Sequence, residues 1–285
     1  MAIAIVTDST SDVEPHLAAA LGIDVVPLFV LWGDRSFRDY VDLSRAEFYE
    51  KLRTEASLPM TSQPTAKMFE AAFAPHVDAG DEILCLVISS KLSGTINAAR
   101  AAAQGYPKAK ITIVDSESVA GGLNMMVMNA RALALAGANA GQIVAAVERE
   151  KRTQRLYALL PDLSHLVRNG RVGKARAAIG TLMKIVPVLC LKDGQVAAEA
   201  QVRTFARARE TMLDLTLKNV NDIPNARFLV MHTNAPALAA SVLEELQDRF
   251  NGASPKTLEI LEAGPVIATH GGPGAVGIFS AQDTS

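Results

Sequence analysis

Residues 82–103 read EILCLVISS, KLSGT and INAARAAA, and no other stretch restricts the possible folds as strongly. The run 83–88 is short, apolar and rich in Val and Ile, the pattern of a strand buried on both faces. A small-residue turn follows at 89–95, and then an alanine-rich helix. A strand, a hydroxyl-rich turn and a helix in that order aim backbone N–H groups and a helix N-terminus at whatever sits above the turn. Gly94 lies between Ser93 and Thr95, so hydroxyl donors stand where the backbone also permits close approach. That arrangement suits a small anion such as a carboxylate or phosphate. Ser93 acting only as the helix N-cap explains the same residues, and the stretch alone leaves both readings open.

The first half repeats the pattern. Strands are predicted at 2–6, 23–31, 83–88 and 110–114. Predicted helices run from a cap at Asp12 to Leu21, from Ser44 to Thr54, from a Ser62 cap to Val77, and over 123–136 and 140–153. Pro27 marks an edge or bulge in the second strand, 35–43 reads as a polar loop, and Pro64 fits a first helical turn. Alternation of this kind predicts a mostly parallel, helix-covered sheet over residues 1–155. Beyond it the pattern changes. A strand is expected at 156–160, a short helix at 162–168, a glycine turn at 169–174 and a helix at 175–184. Two runs at 185–191 and 195–203 flank Asp193-Gly194, a strong hairpin signal. Helices at 204–217 and 236–250 and strands at 227–232, 257–261 and 276–279 complete a second, α+β domain over 156–285.

Composition removes several classes of function. The formal net charge of −2, without a basic block or aromatic-basic interleaving, gives no nucleic-acid surface. The two cysteines, Cys85 and Cys190, lie in apolar runs without a CxxC partner and read as core thiols of a reducing compartment. MAIAIV lacks the charged start of a signal peptide, and no apolar run reaches the ~18 residues of a membrane span. The expected location is the cytoplasm, with transient membrane contact left open. No metal-ligand spacing is present. The segment from Gly272 to Gly277 matches GxGxxG in form but has no following helix, and GRVGK at 170–174 lacks the spacing and hydroxyl of a phosphate loop.

Three places remain for chemistry. EAGPVIATHGGPGAVGI (262–278) sets five glycines and two prolines around His270, which implies close backbone approach to something; a plain turn with a solvent-facing imidazole is the competing reading. The other four histidines fall in predicted helices and strands. Asp8 and Asp115 end strands at the edge where open α/β sheets take ligands, and they serve equally as loop and helix caps. A serine hydrolase or acyltransferase would use Ser93 as nucleophile and His270 as base, with Asp8 or Asp115 as orienting acid in the hydrolase, although GxSxG is absent. A nucleotide-binding module is a third class.

Six segments in order, DSTSD (8–12), TSQPT (61–65), SSKLSGTINAA (89–99), DS (115–116), NGRVGK (169–174) and GPVIATHGGPGA (264–275), resemble the DegV family over nearly the whole chain. The resemblance implies a two-domain α/β protein with no cofactor and no chemistry of its own. It holds one long-chain fatty acid in a tunnel between the domains. A separate ATP-dependent fatty-acid kinase subunit then phosphorylates the carboxylate, giving an acyl phosphate for phospholipid synthesis. By position, Thr61 and Ser93 hydrogen-bond the carboxylate and His270 lies beside it through water. Ser62 is a further candidate, and Gly94 and Thr95 complete the turn. Arg171 of NGRVG and Arg203 of QVRT face the pocket mouth or the kinase. The family's frequent TSQPS, GGRI and HVGPGA are TSQPT, NGRV and HGGPGA here, so Asn169 alters the kinase-facing turn. Candidate tunnel residues are Leu28, Phe29, Met125, Met126, Ile185 and Leu189; the same side chains also suit ordinary core. Burying about fifteen methylenes at ~0.8 kcal/mol each gives a gross upper bound of roughly 12 kcal/mol, before ordering costs.

Overall fold

A computed structural model of the chain describes residues 2–175 and 185–283. It divides into two compact units, Met1–Lys151 with Gly264–Val266, and Arg152–Ala263 with Ile267–Ser285.

The first unit contains β1 (Ile3–Asp8), α1 (Pro15–Leu21), β2 (Ile23–Val26), β3 (Phe29–Trp32), β4 (Arg35–Arg38), α2 (Arg45–Thr54), β5 (Met60–Ser62), α3 (Ala66–Ala79), β6 (Glu82–Val87), α4 (Thr95–Gln104), β7 (Ile111–Asp115), α5 (Gly121–Leu135) and most of α6 (Ala140–Thr153). Its main sheet has the order β2-β1-β6-β7 and is parallel throughout. Period-two alternation sorts the strands' side chains between two helix layers. Ile5, Leu84 and Leu86 pack with Leu123 and Met126 of α5 and Ile143 of α6. Ala4, Val6 and Cys85 point the other way, onto Phe69 and Phe73 of α3 and Ala99 of α4. Both faces of β1 and β6 are therefore apolar, which is why these strands read as continuous hydrophobic runs.

Several expectations need correction here. The stretch 23–31 is two strands. Proline at 27 has no N–H for the ladder, and the chain leaves the parallel sheet there; the Leu28 amide donates to Ser9 Oγ at 3.0 Å instead. The 35–43 stretch contains β4, so β4-β3-β5 forms a separate antiparallel sheet. Ser62 belongs to β5 and does not cap α3, which starts after Thr65. Asp12 does not cap α1, whose N-cap is Glu14 with Pro15 as the first helical residue. Ser44 does cap α2, through a capping box with Glu47.

The second unit contains β8 (Arg155–Leu159), α7 (Ser164–Arg168), β9 (Val186–Lys192), β10 (Gln195–Val202), α8 (Phe205–Lys218), β11 (Ala226–His232), α9 (Pro236–Asp248), β12 (Thr257–Glu262), α10 (Pro265–Gly271, whose first two residues count with the first unit) and β13 (Val276–Gln282). Its sheet runs β10-β9-β8-β13-β11-β12, antiparallel except for the pair β11–β12, which α9 connects. Met212 and Leu213 of α8 and Val242 and Leu246 of α9 share one core with Leu159, Phe228 and Ile278 of the sheet. The Asp193-Gly194 turn has both residues at positive φ, 52° and 73°, as a tight hairpin of this hand demands. The helix expected at 175–184 lies outside the described residues, except for Ala175 at the end of a 3-10 turn. The segment 262–278 is not a plain glycine turn: it contains α10, and His270 stands in the last turn of that helix.

Candidate functional site

The strand–turn–helix at β6 and α4 forms as its sequence implies. Ser89 takes the amides of Leu92 and Ser93 on its carbonyl, at 3.0 and 3.1 Å, which folds the turn tightly above the end of β6. Gly94 is the N-cap of α4. Ser93 Oγ lies 2.9 Å from Thr95 Oγ1 and accepts the Thr95 amide at 3.3 Å. Two hydroxyls therefore cluster on the first residue of a ten-residue helix, where the helix dipole favours negative charge.

Thr61 and Ser62 sit in β5, opposite Val30 and Phe29 of β3, and both are half-buried. The next residue joins the two segments. A Cβ on Gly94 would come within 2.1 Å of Gln63 Oε1, so the Gln63 side chain lies directly over the glycine of the LSGT turn. The structure thus brings the TSQPT and LSGT segments together, and Gln63 is a residue that sequence reasoning missed. Its only sequence signal was its place inside TSQPT.

The carboxylates expected at the strand ends are used on loop amides. Asp8 accepts the Thr10 amide at 2.9 Å, the Thr10 hydroxyl at 2.5 Å and the Ile88 amide at 2.8 Å. Burial pushes its carboxyl up to about 6, against the pull of those donors. Asp115 accepts the amides of Ser90 and Glu117 at 3.1 and 3.0 Å. Both act as caps.

In the second unit, His270 is half-buried. Burial first, then the positive field of Arg171 and the nearby His165, push its imidazole down to about 3, so the ring is neutral near pH 7. Arg171 Nη1 donates to the Asn169 carbonyl at 2.6 Å. Asn169 Nδ2 donates to the carbonyls of His165 and Thr269, at 2.9 and 3.4 Å, so the NGR turn is tied to α10. The His165 ring lies against Gly272, where a Cβ would approach Cδ2 to 2.8 Å. His165 is a further residue that local patterns did not reveal, whereas Asn169 was singled out within NGRVGK. Arg203 is exposed in the bend between β10 and α8.

The apolar candidates fall on several elements, Leu28, Phe29, Met125 and Met126 in the first unit and Ile185 and Leu189 in the second. Leu28 is buried between β2 and β3, and Phe29 is half-buried in β3. Met125 is buried in α5 beside Met126, which packs in the core under the parallel sheet. Ile185 is half-buried ahead of β9, and Leu189 packs with Leu166, Val172 and Ala175. Cys85 and Cys190 are buried free thiols, and burial raises both, Cys190 to about 11. Among the described residues no helix is long and apolar enough to cross a membrane.

Known proteins extend this picture over the full length. A DegV domain-containing protein of Deinococcus radiodurans is 38% identical over 280 residues, covering 98% of each chain. Among solved structures, a fatty-acid-binding DegV family protein of Thermus thermophilus superposes with a TM-score of 0.92 at 34% identity, over 99% of this chain and 100% of that one. The fatty-acid-binding DegV of Bacillus subtilis gives 0.89 at 29% identity, over 99% of each. The model of the uncharacterised DegV family matches residues 2–283. The chain belongs to the DegV family.

Proposed function

We propose that this chain binds one long-chain fatty acid and presents its carboxylate to a separate ATP-dependent fatty-acid kinase subunit, which forms an acyl phosphate for phospholipid synthesis. The observation that carries the binding reading is the full-length likeness to the fatty-acid-binding protein of Thermus thermophilus, at a TM-score of 0.92. The hydroxyl-bearing start of α4 supports it, because Ser93 and Thr95 offer charge-assisted hydrogen bonds at a positive helix end. In this reading Thr61, Ser62, Ser93, Gly94 and Thr95 serve the carboxylate. His270, a neutral imidazole, adds a donor or acceptor without a fixed charge. Leu28, Phe29, Met125, Met126, Ile185 and Leu189 are assigned to the acyl chain, and Arg171 and Arg203 to the kinase-facing rim.

Mass spectrometry of the purified protein, first native and then after organic extraction, tests the binding step. One long-chain fatty acid per chain is the expected result. A bare protein that takes up neither oleate nor palmitate overturns it. The kinase step is tested separately with Arg171→Ala, which is expected to reduce acyl-phosphate formation more than lipid loading; equal loss of both removes the partner-facing role.

A further inference from the structure

The turn of α10 that contains His270 is closed by Gly272, and Gly272 is in turn held by a side chain of the sheet. The Gly272 amide donates to the Ala268 carbonyl at 2.9 Å, completing the last turn of the helix. The Gly272 carbonyl accepts the Thr233 hydroxyl at 2.5 Å. The oxygen of that hydroxyl accepts the Ala275 amide at 2.9 Å. All of these residues belong to the second unit.

Thr233 is firmly placed to do this. It is buried and directly follows His232, the last residue of β11, an interior strand of the sheet. Its amide donates to the Ala275 carbonyl at 3.0 Å, one step beyond the His232–Val276 pair of the β11–β13 ladder. Its carbonyl accepts the Gly274 amide at 2.7 Å. The segment it holds has little stiffness of its own. Gly272 and Gly274 have φ of 69° and 85°, and glycine loses more conformational freedom than any other residue when it is fixed. Bonds from outside the segment therefore decide where it sits. Helix α7 adds a second support: the His165 ring lies against Gly272, and Asn169 Nδ2 reaches the Thr269 carbonyl at 3.4 Å.

We infer that Thr233 is a positioning residue for His270: by holding Gly272, its hydroxyl fixes the helical turn on which the imidazole stands. The functional half of this inference rests on the assignment of His270 to the fatty-acid carboxylate.

The test uses full-length protein with 13C-labelled histidine rings, the His270 resonance being assigned by its loss in His270→Asn. Oleate affinity is read in parallel by displacement of a fluorescent fatty acid. Thr233→Val replaces the hydroxyl by a methyl group. It is expected to move the His270 resonance, leave that of His76 in place, and weaken oleate about tenfold, the loss of one good hydrogen bond. Thr233→Ser keeps the hydroxyl and is expected to restore both. A His270 resonance unmoved in Thr233→Val overturns the inference, as does a Thr233→Ser protein that behaves like Thr233→Val. Should Thr233→Val not fold, Thr233→Ala removes the hydroxyl without setting a methyl against the Gly272 carbonyl; an unmoved resonance there is equally decisive. A moved resonance with unchanged oleate affinity in Thr233→Val, where His270→Asn does weaken oleate, overturns the functional half. Failure of the underlying reading shows differently, as wild-type oleate affinity in His270→Asn itself.

Discussion

The Asp8 carboxylate accepts the amide hydrogen of Ile88 at 2.8 Å, linking the ends of two neighbouring parallel strands across 80 residues of chain. The other Asp8 oxygen holds the Thr10 amide and hydroxyl. One buried side chain thus fixes the DSTSD loop and the entrance to the turn that carries Ser93.

Removing it is expected to be expensive. Asp8→Ala leaves buried donors without an acceptor, and unfolding by denaturant should show a loss of about 3 kcal/mol or more. Asp8→Asn should still lose about 1–3 kcal/mol, because its NH2 group faces the Ile88 amide when its oxygen serves Thr10. A midpoint for Asp8→Ala within error of wild type refutes this role.

Stability should carry two opposed pH dependences. Burial raises Asp12 from 3.8 to about 7, so the folded state binds a proton that the unfolded state has released. That contribution is complete below pH 3.8 and is lost as pH rises to about 7. His270 is lowered from 6.5 to about 3. Its contribution is complete above pH 6.5 and is lost as pH falls toward 3. Denaturant titrations across pH should show Asp12→Asn flattening the rising-pH loss and His270→Asn flattening the falling-pH loss. Parallel profiles for wild type and either variant would contradict the assignment of that group.

Two glycines should respond to alanine to different extents. Gly272 has φ of 69° and is covered by the buried His165 ring, 2.8 Å from where a Cβ would stand. Gly272→Ala is expected to cost about 1–3 kcal/mol. At Gly94 the obstacle is the tip of the exposed Gln63 side chain, which can swing away. Gly94→Ala should cost at most about 1 kcal/mol, as the loss of a favoured cap residue. Thermal or denaturant midpoints separate the two, and equal costs would remove the distinction.

What the sequence made legible is what local chemistry decides. The apolar run of β6, the Ser44–Glu47 capping box and the Asp193-Gly194 hairpin are each written within a few adjacent residues. The two-domain α/β and α+β character follows from elements of that kind. Strand β4 was hidden because Arg35–Arg38 is mostly exposed in an edge position, so it carries no alternating apolar face. Helix α10 was hidden because glycine and proline composition argues for a turn, while Pro265 in fact opens the helix. Asp12 was misread as a cap because its partner, Gly264, lies 252 residues away. No periodicity reports such a contact. The ordered motifs made the same family legible that the whole-chain comparisons show.

The placement of Gly264–Val266 with the first unit, although the chain on either side belongs to the second, has a corollary for synthesis of the chain. A gene cut near codon 151 would not yield two self-sufficient modules. The upstream fragment would lack the tripeptide that covers Tyr40 and occupies Asp12, and the downstream fragment would carry that tripeptide with nothing to receive it. The first unit is thus complete only when residues more than a hundred positions downstream of its main span are translated, because the Asp12 carboxyl meets the Gly264 amide across 252 residues of chain.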